Sequence, residues 1–99
     1  GLNAPHRTML VQAVHARNWQ PDLPRLERLA APAEMTQQDY AESWAWVHLL
    51  LDSTPQRIEL LRNHLARIRM TGTAPPLSQV LLAADPQAPQ HLIEHLQTF

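Results

Sequence analysis

Residues 91–95 read His-Leu-Ile-Glu-His, and the order and spacing of these types could do hydrolytic chemistry. On a helix, His91 and His95 stand four apart on one face with Glu94 beside them. That supplies two imidazole ligands and a general base for a zinc-activated water. A catalytic zinc takes a third protein ligand, which in zinc peptidases with this ligand order lies well downstream. Only Leu96, Gln97, Thr98 and Phe99 follow here. The segment also falls on a helix of about two turns, a poor frame for ligands that must be placed within about half an ångström. The expectation is therefore that Leu92, Ile93 and Leu96 pack inward while both histidines face water. No residue is assigned as catalytic, cofactor-binding or metal-ligating, no cofactor is expected, and zinc hydrolysis through His91, Glu94 and His95 is kept as the remaining alternative.

The other histidines offer less. His6 and His15 lie nine apart, and His64 stands among Leu61, Leu65 and Ile68. His48 has apolar neighbours, so its ring must find a hydrogen-bond partner or give up its charge, and a satisfied core histidine is the expectation. Trp44 and Trp46 point about 200° apart on a helix and anchor two packing surfaces rather than a cage. Arg57, Arg62, Arg67 and Arg69 spread around one helix, with Glu59 able to pair with Arg62, which describes a solvated face. No Ser-His-Asp order, phosphate loop or EF-hand loop occurs.

The elements that must position these residues are helices. Of 99 residues only Gly1 and Gly72 are glycine, and nine prolines fall between apolar periodic segments, where they start or stop helices. A first helix is expected from about His6 to Arg17, with Met9, Leu10, Ala13 and Val14 as its apolar stripe. A second, from about Pro24 to Leu29, buries Leu26 and Leu29, and Ala31 to Ala33 form a loop. Thr36 is a good N-cap for a third helix, with Asp39 placed to reach back to it, and the run Tyr40 to Leu51 follows. Trp44 to Leu51 is apolar on almost every side except at His48, the mark of a helix surrounded by protein. Ser53 or Thr54, then Pro55, start a fourth helix that runs to about Met70 and stops at Thr71-Gly72. Its stripe Ile58, Leu61, Leu65 and Ile68 is expected to face the third, closing a tight αα-hairpin. Shorter helices are expected from Leu77 to Ala84 and from Gln90 to Gln97. The fold class is all-α: a compact bundle of five to six short helices with a central αα-hairpin. No repeat of 33 to 47 residues is present.

Composition bounds the partners. Eight Arg, no Lys and nine Asp plus Glu leave a net charge of −1, so no global field draws the chain to nucleic acid or an anionic membrane. Cysteine is absent, which excludes disulfides and thiolate metal sites. No apolar run approaches the roughly 18 residues that span a bilayer. Residues 1–99 form one helical domain or subdomain, with a core limited to burying about 60–70% of the unfolded surface. Gly1 ahead of an abrupt start reads as a cloning remnant, so a piece of a longer protein is expected.

The stretch Tyr40-Ala41-Glu42-Ser43-Trp44-Ala45-Trp46-Val47-His48-Leu49-Leu50 resembles the helix that follows the active site in gluzincin-type, peptidase-MA-like bacterial metallopeptidases. Members of a largely uncharacterised bacterial family there read Tyr-Ala-x-Ser/Ala-Trp-Ala-x-Val-His/Tyr-x-Leu. Leu26–Leu29, Ile58–Ile68 and Leu81–Leu96 are similar to the segments flanking that helix, so the likeness covers Pro24 to the end. It implies a helical C-terminal subdomain that walls one side of a peptidase cleft. The family's zinc motif, His-Glu-x-x-His with a downstream Glu, lies before the matched region and is not in this sequence, so no functional residue carries over. The partner implied is the rest of a parent polypeptide or another protein, and an independent helical interaction module is the competing class.

Overall fold

A computed structural model describes residues 4–29 and 32–98. Six α-helices follow one another with no strand among the described residues: α1 (Ala4–His15), α2 (Leu23–Glu27), α3 (Gln37–Asp52), α4 (Pro55–Thr71), α5 (Leu77–Ala84) and α6 (Ala88–Gln97), with a 3-10 turn at Pro32–Glu34 between α2 and α3. The all-α architecture and the short α3–α4 connection match the reading of the sequence. Leu2 and Ala31 lie outside the described residues.

Local chemistry explains the boundaries. The α3 start is a reciprocal cap: the Asp39 amide donates to the Thr36 hydroxyl at 3.1 Å, and the Thr36 amide donates to the Asp39 carboxylate at 3.0 Å. Thr54 caps α4 with Pro55 in its first turn, and Gly72, at φ +77°, closes it in the left-handed conformation that glycine adopts without strain. α1 stops two residues earlier than expected. The Asn18 amide reaches back to the Ala13 carbonyl and the Arg17 amide to that of Val14, which puts Arg17 at φ +58°. α2 is displaced toward the N-terminus because Asp22 caps it, accepting from the Arg25 amide. It excludes Leu29, and both Leu26 and Leu29 are only half-buried. α6 begins earlier than Gln90 because Pro89 occupies its first turn rather than preceding it.

The core gathers on α3. Ala41, Ala45, Trp46, Leu49 and Leu50 pack with Leu10 of α1, Leu81 of α5, and Ala88, Leu92 and Leu96 of α6. Two expectations need correction. α3 is not sheathed on all sides: Val47 and Leu51 are 52% and 48% exposed. Nor does the α4 stripe face α3 along its length, since Leu65 and Ile68 are 51% and 41% exposed and α4 buries no residue. α1, not α4, is the main partner of α3, and α6 and α2 also pack on it.

One buried charge ties the N-terminal third to α3. Glu42 is fully buried. Its Oε1 accepts from the Trp19 indole N–H at 2.9 Å, and its Oε2 accepts from the Trp46 indole at 3.0 Å and from the Asp22 amide at 2.7 Å. The Arg25 guanidinium stands 3.6 Å away and bonds Asp39 at 2.7 Å. The Thr36 amide and then Arg25 hold the Asp39 carboxyl below its ordinary range, and Asp39 in turn raises the Arg25 guanidinium. Desolvating a carboxylate costs several kcal/mol, and three hydrogen bonds to a charged group, at about 1.5–3 kcal/mol each, offset it only if all are made. Substituting Glu42→Ala is therefore expected to lower the unfolding free energy by about 3–5 kcal/mol in urea denaturation. Glu42→Gln is expected to recover only part of that, because its NH2 group faces donors; a loss below about 1 kcal/mol for Glu42→Ala would show that the three donors find other partners.

Candidate functional site

The polar groups on the other side of α3 converge on α6. His48 projects from α3, and its side chain is 10% exposed. Its Nε2 lies 3.0 Å from Asp52 Oδ2, one turn along the same helix, and its Nδ1 lies 2.8 Å from Nε2 of His95. A carboxylate only accepts, so His48 Nε2 carries the proton toward Asp52, its Nδ1 is the acceptor, and His95 Nε2–H is the donor. The rings form a ladder: His6 to Trp44 with centroids 6.0 Å apart, Trp44 to His48 at 5.2 Å and His48 to His95 at 5.0 Å. Helices α1, α3 and α6 each contribute.

A second cluster sits one turn back along α6. His91 Nδ1 lies 2.7 Å from Asp85 Oδ2, and Arg57 Nη2 donates to the same oxygen at 3.3 Å while passing 3.2 Å from the imidazole. The shorter contact places the imidazole proton toward Asp85. Burial pushes the Asp85 carboxyl up, but the hydrogen bonds from His91 and Arg57 outweigh it and hold Asp85 below its ordinary range. Arg57 also donates to the Ser53 hydroxyl at 3.0 Å, and that hydroxyl donates to the Leu49 carbonyl. Ser53 is thereby spent on helix ends rather than presented as a nucleophile.

The HLIEH residues can now be placed. Leu92 and Leu96 are buried, as expected. The histidines do not simply face water, however, which corrects the sequence reading: His95 is turned onto α3 and His91 onto Asp85. Glu94 is exposed. Each ring has a nitrogen engaged by a different protein partner, and no three His, Asp or Glu side chains among the described residues are grouped to hold a metal ion. Burial, then the nearby charges of His48 and Arg57, lower the His95 pKa against the opposing pull of Asp52. The arrangement can store and pass a proton between two helices. It places no nucleophile or electrophile beside that proton.

Sequence reasoning marked His48 as a histidine needing a partner but did not find His95, 47 residues away. Asp52, four residues after His48, carried a legible i, i+4 signal. Asp85 and Arg57 carried none. With their rings so engaged, metal analysis of protein purified without chelator is expected to show zinc well below stoichiometry, unchanged in His91→Ala. Stoichiometric zinc that vanishes in that variant would contradict this geometry.

In comparisons with known proteins, no family model, no curated protein and no solved structure matches this chain.

Proposed function

We propose that this chain is a non-catalytic helical packing module whose α3 receives an apolar helix contributed by polypeptide outside these 99 residues. The observation that carries the reading is a seam. Tyr40, Trp44, Val47 and Leu51 recur at i, i+4, i+7 and i+11 on α3, the spacing by which one helix packs along another. Tyr40, Val47 and Leu51 are about half exposed, and Trp44 is half-buried. Covering Val47 and Leu51 is worth on the order of 1 kcal/mol each, with Trp44 as the amphipathic anchor such surfaces favour. No helix among the described residues is long and apolar enough to cross a membrane, so lipid as the cover by a spanning helix is not indicated.

The resemblance to gluzincin-type metallopeptidases gives this module a specific setting: a subdomain that walls a cleft whose zinc and catalytic residues are supplied elsewhere. Its motif divides in a way that supports this. Ala41, Ala45 and Leu50 are buried in the core, whereas Tyr40 and Val47 form the outward half that would meet a neighbouring unit, with half-buried Trp44, packed between His6 and His48, at its border. A reading frame that encodes His-Glu-x-x-His within about a hundred residues upstream, the span of one domain, supports that setting, and a stop codon or unrelated domain removes it.

A photo-cross-linking residue at Val47, in protein expressed from its native gene, is expected to join one defined apolar helical segment. A segment of the same polypeptide fits the subdomain, and a segment of another chain fits an independent interaction module. Cross-linking no more specific than from the exposed Arg62 position would end the packing reading. With the cross-linker kept at Val47, Leu51→Asp is expected to abolish the cross-link while changing the isolated chain's unfolding free energy by no more than about 0.5–1 kcal/mol.

A further inference from the structure

We propose that the His48–His95 contact is a proton-counting latch: with no extra proton or one, the two imidazoles hold α6 on α3, and a second proton drives them apart and frees the C-terminal half of α6. In the neutral state His95 Nε2–H donates to His48 Nδ1 across 2.8 Å. One added proton keeps the bridge. His48 then donates both to Asp52 and to His95, whose proton moves to Nδ1. A second added proton leaves N–H donors facing each other on like-charged rings 5.0 Å apart, and the hydrogen bond has no acceptor.

The charges that face this pair come from every neighbouring helix. Asp52 on α3 lies 3.0 Å from the far side of His48. Arg57 on α4 adds positive charge near His95. On α6 itself His91 is compensated by Asp85. From α1, His6 approaches across Trp44, and the Arg7 Nε–H bonds the Leu96 carbonyl at 2.9 Å. Among the described residues the charges of His48 and Arg57 oppose a cation on His95 and that of Asp52 favours it, with the net effect, burial included, against the doubly charged pair.

The sign follows from the depressed His95 pKa. A folded-state value below the ordinary 6.5 means that the unfolded or opened helix binds the proton more readily. The bridge is therefore fully in force above about pH 6.5 and is lost as pH falls through that value toward the folded-state pKa. The opposite end of α6 behaves differently, since Asp85 stays ionised well into acid and keeps its contacts to His91 and Arg57. α6 should open from its C-terminal end while its first turn stays clamped.

Amide hydrogen exchange over residues 92–97, corrected for intrinsic rates and recorded in chelator-containing buffer, reads this directly. Between pH 7.5 and 5 the opening equilibrium is expected to rise severalfold, as the opened helix takes up the proton that the folded His95 site disfavours. In His95→Gln, whose carboxamide can still donate to His48 but carries no charge, the profile is expected to be flat, and His91→Gln should keep the wild-type rise. In wild-type protein the His95 Cε1–H signal should titrate below the ordinary imidazole range, in step with the exchange rise. A rise in His95→Gln equal to wild type, or a His95 signal that titrates at or above the ordinary imidazole range, would overturn the proposal; the second readout needs no variant to fold.

Discussion

The structure depends on a carboxylate that has no contact with water. Glu42 sits on the face of α3 that also carries Trp46 and Leu49, and its oxygens gather donors from the α1–α2 connection, from the entry to α2 and from α3 itself. Satisfying it requires Trp19, Asp22 and Trp46 to be in place together, so the cost of burial becomes a positional constraint. A hydrophobic residue at that site would fill the space without specifying how the N-terminal third lies on α3. The Thr36–Asp39 cap and the Arg25–Asp39 pair extend the same network to the helix start.

Around that anchor, α3 divides its circumference into three uses. One face, with Glu42, Trp46, Leu49 and Leu50, makes the core. A second, with His48 and Asp52, meets α6 through ionisable groups rather than hydrocarbon, and its packing is therefore sensitive to protons. The third, with Tyr40, Val47 and Leu51, is about half exposed along the helix. A helix apolar nearly all round is normally enclosed, and here the enclosure is incomplete on the side that α4 leaves uncovered. The same short hairpin turn that fixes α4 beside the end of α3 lets its distal half stand away, with Leu65 and Ile68 exposed.

Much of the fold was legible in the chain because its signals are local. Thr36 and Asp39 announce the α3 start, Pro55 and Gly72 bracket α4, and the absence of strand alternation fixes the class. Placement of faces was less legible. Periodicity shows that Leu65 and Ile68 share a stripe with Ile58 and Leu61, but not that the distal half of that stripe stays exposed. The polar site was mostly hidden for a related reason. His48 and His95, or Trp19 and Glu42, are joined only by tertiary packing, and a burial pattern would more readily mark Glu42 as solvent-facing than as a hub. The HLIEH spacing was legible as a pattern, yet helix context assigned its two rings to different partners, Asp85 and His48.

The most direct test of the central claim lies in the three indole N–H groups. If Glu42 receives Trp19 and Trp46 together, their indole protons should exchange with solvent far more slowly than that of half-buried Trp44, and both should shift together when Glu42 is replaced. An indole proton of Trp19 or Trp46 that exchanges as fast as that of Trp44 would contradict the account.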